Sequence, residues 1–258
     1  MKNTNPQKLT KETHIPFPKT SNFSLERLWN LLFPRRCPVC NDIVIPKGHL
    51  ICPTCIPKLS LVKEPTCRKC GKEMIIHTAE YCFDCTKHKR TFEYGKVLLN
   101  YNDTAKTSMS KIKYNNKREY LDFYGEAICR RYKKQIARMN ADALVPVPIH
   151  KSRKRERGFN QAEVLADKIS KHTGIPVFPD ALLRSKKTAP QKVLNPGERL
   201  KNLEEAFLPG QIPQGINTVI LIDDIYTTGS TIEACTRALR RAGVKKIYFL
   251  TICIGRGQ

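Results

Sequence analysis

Thr218-Val-Ile-Leu-Ile-Asp-Asp-Ile-Tyr-Thr-Thr-Gly-Ser-Thr231 decides the reading of this chain. Thr218 to Ile222 is a continuous apolar run, the pattern of a strand buried on both faces of a parallel sheet. Two acids follow, then a Thr/Gly/Ser turn, then a helical pattern from Gly229 to Ala242 with Gly243 past its end. This order suits a sugar phosphate. The amides of Thr227, Thr228, Gly229, Ser230 and Thr231 can wrap a phosphate where the helix dipole and unpaired N–H groups favour an anion. The four hydroxyls add donors, and Gly229 lets the backbone approach closely. Asp223 and Asp224, at the carboxyl end of the strand, are expected to accept from the two ribose hydroxyls. The bland alternative is a strand, a turn and a helix with acidic caps. A bare Asp-Asp would favour that alternative; the whole string favours function.

Outward from this stretch, strands alternate with helices across residues 91–258. Tyr94 to Tyr101 reads as a strand, and Asp103 is expected to cap a helix toward Tyr114. A second helix over Arg118 to Arg138 has Leu121, Tyr124, Ile128, Tyr132 and Ile136 at helical spacing. Ala141 to Val147 reads as a buried strand. Asn160 and Glu163 have capping-box spacing for a helix ending near Gly174. Lys246 to Ile252 closes the series as a strand. The fold class is therefore α/β, a mostly parallel sheet flanked by helices.

Upstream, Cys37, Cys52, Cys67 and Cys82 recur every 15 residues, each followed three residues later by Cys40, Cys55, Cys70 and Cys85. A Cys-x-x-Cys pair presents two thiolates from one tight turn. Two pairs complete the four-sulfur shell that Zn²⁺ favours, with no position left for a substrate. Eight cysteines make two structural zinc sites in a small ribbon module, residues 24–90. Sequential pairing is the simplest; cross-braced pairing fits the count equally. Little else in this stretch makes a core, so metal is expected to hold it together. The single Cys129, Cys235 and Cys253 read as core residues.

The chain has 258 residues, 40% of them apolar, enough for a core. Residues 1–23 read as a flexible basic arm, and Ser24 to Leu32 as a short helix with Leu25, Leu28, Trp29 and Leu32 on one face. No apolar run reaches the ~18–20 residues of a membrane span. The first residues lack the apolar stretch of a secretory signal, so a reducing cytoplasmic setting is expected. The formal charge is +23, and two loaded zinc sites lower it only to about +19. That excess points to polyanions. Ten Lys/Arg lie between Arg130 and Arg157 against Asp142 and Glu156. Arg130, Arg131, Lys133, Lys134, Arg153, Lys154 and Arg155 are the candidate nucleic-acid contacts. Lys111, Lys113, Lys117 and Arg118 form a second basic cluster around Tyr114, where rings among cations suit the bases of a single strand.

These motifs resemble a known family. The 218–231 string is similar to the phosphoribosyl pyrophosphate (PRPP) signature of type I phosphoribosyltransferases. The closer resemblance is to the ComF/ComFC competence family. It is carried by the four Cys-x-x-Cys pairs, Val145-Pro-Val-Pro148, Arg155-Glu-Arg-Gly-Phe-Asn-Gln-Ala162, Thr188-Ala-Pro-Gln191, Glu198-Arg-Leu200 with Asn202, and Ala206-Phe207. It spans roughly residues 25–255. The resemblance implies a type I phosphoribosyltransferase fold behind a double zinc ribbon, and a role in DNA uptake during natural transformation. It implies single-stranded DNA as a partner, with an uptake helicase or another competence protein as a further one. PRPP or a related phosphosugar would be the ligand, with Mg²⁺ bound through ligand oxygens. Asp223 and Asp224 would be the catalytic, ribose-contacting pair, and Thr227 to Thr231 would hold the 5-phosphate. The turn toward Lys151, together with Arg157, would approach pyrophosphate. Arg184 to Arg199, with Lys187 and Gln191, would form a flap. The alternative is an active phosphoribosyltransferase acting on an unidentified base or nucleotide. No segment of the chain is recognisable as the selector of a purine or pyrimidine.

Overall fold

The structure is a computed structural model describing residues 34–76, 78–185 and 205–255. The expected arm, the Ser24 to Leu32 helix, Lys187, Gln191 and all of the expected flap beyond Ser185 lie outside the described residues.

The elements in chain order are α1 (Phe83–Lys87), β1 (Gly95–Asn100), α2 (Asp103–Tyr114), α3 (Tyr120–Met139), β2 (Ala143–Pro146), α4 (Lys151–Arg157), α5 (Gln161–Thr173), β3 (Leu182–Arg184), β4 (Phe207–Pro209), β5 (Thr218–Tyr226), α6 (Ser230–Arg241) and β6 (Lys246–Ile254). Four strands form one sheet in the order β1-β6-β5-β2, and every pairing is parallel. Parallel strands need crossovers, and helices supply them on both faces. The α/β expectation holds.

The centre of the sheet follows from the apolar runs. Val219 to Ile222 are buried to 1% exposure or less, as are Phe249, Leu250 and Ile252. One face carries α3 and α5. Leu121, Tyr124, Ile128, Tyr132 and Ile136 are all buried there, as their spacing requires. α6 covers the other face with Ile232, Ala234, Cys235, Ala238 and Leu239. Cys129, Cys235 and Cys253 are buried core thiols. Burial pushes Cys129 up to about 12 and Cys235 well above the ordinary thiol value, so these thiols stay protonated and unreactive.

Several boundaries differ from expectation for local reasons. Asn102, not Asp103, caps α2, accepting from the Ala105 amide at 3.0 Å. Asn160 caps α5 through the Ala162 amide at 3.1 Å, but the Glu163 carboxylate meets Lys154 at 3.3 Å. The basic run after β2 folds into α4. His150 caps it, and Gly158 ends it at φ 76°. β5 continues through both acids to Tyr226, because β6 pairs alongside it as far as Ile254.

The cysteine module is built against the sheet. Asn100 N donates to Ser60 O at 2.7 Å, Val62 N to Leu98 O at 3.1 Å, and Gly95 N to Lys69 O at 2.9 Å. The β1 edge is thereby covered, as an exposed edge must be. Val44, Leu50 and Ile51 join the core on the α3 side, and Val62 with Cys67, Cys70 and Cys82 joins the core on the α6 side. The expectation that metal alone holds the module is corrected: apolar packing on the sheet shares the task. Arg35, just ahead of the first knuckle, pairs with Asp122 of α3 at 2.6 Å, and Lys168 of α5 reaches the other carboxylate oxygen at 2.6 Å.

Candidate phosphosugar site and metal centres

β5 delivers its two acids to the carboxyl edge of the sheet on opposite faces, because side chains alternate along a strand. Asp224 turns toward the α2/α5 side and is 6% exposed. Its Oδ1 accepts from Gln161 Nε2 at 3.3 Å, and its Oδ2 is ion-paired with Lys113 of α2. Asp223 is half-buried, and its Oδ1 accepts from the Asp224 amide at 2.9 Å. Burial first, and then the Asp224 charge, hold the Asp223 carboxyl well above its ordinary value. Burial acts on Asp224 in the same direction, but Lys113 outweighs it and the net shift is downward. The pair therefore carries its charge chiefly on Asp224, a coupled arrangement in which one acid ionises at the other's expense.

The turn beyond the strand has the expected geometry. Gly229 sits at φ 77° and caps α6, whose first-turn amides have no intrahelical partners. Thr227 and Thr228 are exposed, Thr231 is half-buried, and the hydroxyls of Thr228 and Ser230 lie 3.0 Å apart. Under the turn lies Tyr226, 4% exposed and stacked on Phe249 with ring centroids 5.0 Å apart. A Cβ on Gly229 would come within 2.1 Å of the Tyr226 hydroxyl oxygen. The glycine is thus required twice, by its φ and by the ring beneath it.

The ribbon module reaches this turn. Arg90 donates to the Thr228 carbonyl at 2.6 Å. The Thr91 amide and hydroxyl each donate at 2.9 Å to Glu233, a fully buried carboxylate on α6 that also takes Arg237 at 2.9 Å. A buried charge held by several donors costs little and fixes the geometry. The helix that offers its N-terminus is therefore clamped by the chain segment leaving the second cysteine tetrad.

The other candidates are dispersed. Arg157, the last residue of α4, lies over the Tyr114 ring at 5.2 Å and donates to Gln161 Oε1 at 3.1 Å. Lys151, Arg153, Lys154 and Arg155 are exposed on α4. Arg130 is tied to Glu126 at 2.6 Å, and Arg131 to the Val62 carbonyl beside the ribbon. Lys133 and Lys134 are exposed. The single basic stretch read over 130–157 is corrected to two places. α3 runs from the carboxyl edge back to the start of β2, so Arg131 stands ~16 Å down the helix from Tyr120, while α4 follows β2 at the carboxyl edge. Lys113, read as part of a surface cluster, faces inward.

The eight cysteines gather as Cys37, Cys40, Cys52, Cys55 and as Cys67, Cys70, Cys82, Cys85. Within each set the sulfurs lie within 4.8 Å of one another, and none is disulfide-bonded. Pairing is sequential, not cross-braced. Cys70 and Cys82 Sγ are 3.6 Å apart, close to the ~3.8 Å edge of a tetrahedron with Zn–S near ~2.3 Å. Both opening knuckles turn the same way. Asn41 at φ 67° donates to Cys37 O, and Gly71 at φ 75° donates to Cys67 O, each at 2.9 Å. The donor sets fit Zn²⁺ in closed, structural sites.

Comparison with known proteins agrees with both halves. Residues 28–86 match the double zinc ribbon domain, and residues 156–258 match the phosphoribosyl transferase domain. The competence protein F of Haemophilus influenzae is 27% identical over 223 residues, covering 83% of this chain and 95% of that protein. The competence protein ComFC of Bacillus subtilis is 29% identical over 234 residues, covering 86% and 87%. The chain is thus similar to competence proteins F and ComFC over most of its length. The DNA utilization protein YhgH of Escherichia coli K12 is also similar, at 25% identity over 227 residues and 98% of its length. The chain combines a zinc ribbon-like module with a phosphoribosyltransferase domain. Among the described residues no helix is long and apolar enough to cross a membrane.

Sequence reasoning missed four residues at the site: Lys113, Gln161, Arg90 and Tyr226. A signal for Lys113 was present. It follows Met109 by four positions, so helical spacing puts it on the buried face of α2 with Ala105, Met109 and Ile112.

The raised Asp223 carboxyl gives an expected result. An acid whose native pKa lies above its unfolded value costs stability once pH exceeds the unfolded value, ~3.9. Asp223→Asn keeps an acceptor for the Asp224 amide and removes that cost. Urea unfolding at pH 7 should show the variant more stable by on the order of 1 kcal/mol, with the gain vanishing near pH 4. Equal stability at both pH values would contradict the charge distribution given for the pair.

Proposed function

We propose that this chain acts in DNA uptake, holding PRPP at the carboxyl edge of its parallel sheet and single-stranded DNA on its basic surface. The observation that carries the ligand reading is β5 carrying an acid pair near its carboxyl end and turning through a left-handed Gly229 onto the N-terminus of α6. The 5-phosphate belongs on the Thr227 to Thr231 amides, and the ribose hydroxyls belong beside Asp223 and Asp224. Mg²⁺ arrives with the diphosphate and is held mainly by ligand oxygens. Arg157, linked to Asp224 through Gln161, and Lys151 at the start of the same helix are the anion contacts offered by α4. The names of the relatives, competence proteins F and ComFC and DNA utilization protein YhgH, supply the biological setting. The formal charge of +23 supplies long-range attraction to a polyanion. Arg130, Lys133, Lys134, Arg153, Lys154 and Arg155 are exposed cations for phosphate contacts, although Arg130 also pairs with Glu126, while Arg131 is held by the Val62 carbonyl. Reduced zinc-binding thiols suit a cytoplasmic setting.

The test is a titration of PRPP with Mg²⁺ into the zinc-loaded protein, with and without single-stranded DNA. PRPP should saturate one site. DNA retention should fall steeply with salt, with a slope near −0.7 per phosphate contacted. If the two ligands are coupled, each must change the other's affinity by the same factor. No saturable PRPP binding, or no DNA retention at low salt, sinks the corresponding half of the reading.

A second reading is favoured by the match to the phosphoribosyl transferase domain. In it, an acceptor nitrogen attacks C1 of the ribose, the C1–O bond breaks, and pyrophosphate leaves with the bonding electrons. The site would position reactants and stabilise the departing anion. Pyrophosphate release that depends on an added base or nucleotide, and is lost in Asp224→Asn, supports transfer. Silence across purine and pyrimidine acceptors leaves binding alone.

A further inference from the structure

Among the described residues, Lys113 is the lysine whose ammonium is paired inside the acid site. It lies on α2, its side chain 19% exposed, against Asp224 at 9%. Burial opposes its charge, yet the Asp224 carboxylate raises its affinity for the proton overall. The ammonium therefore keeps its proton at neutral pH.

Asp224 is correspondingly occupied. One oxygen takes Gln161 and the other takes Lys113. Gln161 in turn accepts from Arg157, so Arg157, Gln161, Asp224 and Lys113 form one polar chain at the carboxyl edge. Arg157 is near enough for its charge to act against that of Lys113. Its Nε is buried with no hydrogen-bond partner among the described residues. Two cations and a buried unpartnered N–H, with one carboxylate between them, leave the corner short of negative charge. A buried donor without an acceptor is costly, and an anion relieves it.

We propose that Lys113 is an anion-contacting, specificity-determining residue of this site. Asp224 acts chiefly as its positioning counter-ion, so that Lys113 and Arg157 together meet the diphosphate of the ligand. This rests on the phosphosugar reading above and goes beyond it by dividing the acid pair. Asp223, more open and carrying less charge, is left to the ribose hydroxyls, while Asp224 orients a cation. A buried pair serving stability alone would resist unfolding but would not sort ligands by charge. A cation aimed at a diphosphate sorts ligands that have one from ligands that lack one.

The test compares PRPP with ribose 5-phosphate, both with Mg²⁺, by calorimetry on zinc-loaded protein. The two share the ribose and the 5-phosphate and differ at C1. Lys113→Met should weaken PRPP by about 10- to 100-fold, the loss of one or two hydrogen bonds to a charged group. It should leave ribose 5-phosphate within about threefold. Lys113→Arg, which keeps the charge, should retain most of the preference. Asp224→Asn should lose PRPP selectively as well, and the double variant should be little worse than either single one, because both changes break the same arm. Circular dichroism and zinc content establish that each variant is folded. The proposal is overturned if Lys113→Met weakens both ligands equally, or neither, in a folded protein. If the wild-type protein binds neither ligand, it is the phosphosugar reading itself that fails.

Discussion

Cys70→Ser is expected to cost the protein one zinc ion and its phosphosugar binding together. The second tetrad lies in the same apolar cluster as Tyr226, Phe249 and the buried face of α6. The chain leaving it places Arg90 on the Thr228 carbonyl and Thr91 on Glu233. Structural zinc in small modules contributes ~10–16 kcal/mol to their folding at neutral pH, the same scale as the whole stability of a domain, ~5–15 kcal/mol. Loss of that ion should free Arg90 and Thr91, leave the Glu233 charge underpaired, and loosen the start of α6. Elemental analysis should fall from about two zinc ions per chain to one, and PRPP titration should lose its saturable phase. Cys40→Ser, in the first tetrad, should also remove one zinc. That tetrad packs on the α3 side of the sheet, so the loss of binding should be smaller. Equal loss from both variants, or retained binding without the second zinc, would contradict the strut described here.

Gly229→Ala is the second large effect. The new methyl would sit 2.1 Å from the Tyr226 hydroxyl oxygen on a backbone at φ 77°. Tyr226 cannot give way easily, because its ring is stacked on Phe249 and buried. A left-handed alanine and a displaced core tyrosine together should destabilise the protein by ~1–3 kcal/mol. The turn would move off the N-terminus of α6, and binding should weaken by at least about 100-fold if, as proposed, the turn supplies most of the amide donors to the phosphate. Thermal melting and PRPP titration read the two effects separately. A folded Gly229→Ala protein with unchanged affinity would show that the turn does not hold the ligand.

Much of this was legible in the sequence because the decisive signals are local. An apolar run into Asp223-Asp224 and then Thr227 to Thr231 specifies a strand, an edge and an anion-holding helix start within 14 residues. Cysteines three apart specify metal knuckles, and their number specifies two ions. The unread features join residues far apart in sequence. Arg90 and Thr228 are separated by 138 positions, and Thr91 and Glu233 by 142, and no periodicity carries such pairs. Zinc pairing belongs to the same class, since sequential and cross-braced sets have identical spacing. Charge was misread for a different reason. A basic run gives no sign of which cations will find internal carboxylates. Arg131 and Lys113 turned inward to the Val62 carbonyl and Asp224, while Lys133 and Lys134 stayed in solvent and Arg130, though paired with Glu126, stayed exposed. Composition measures total attraction to a polyanion; it does not locate a face.

The ribbon and the transferase-like sheet form a joint structure. Ser60 to Val62 runs beside β1, and Phe92 meets Phe249 edge-on with centroids 5.1 Å apart. Metal loading, sheet-edge protection and the shape of the turn from Thr227 to Thr231 are therefore linked through one set of contacts.

The most direct test of the central claim is calorimetric titration of Mg²⁺–PRPP into the zinc-loaded wild-type chain, with Gly229→Ala measured alongside. One saturable site per chain in the wild type, lost in the variant, is the expected result. A featureless titration of the wild-type protein, or the same isotherm from both proteins, would contradict it.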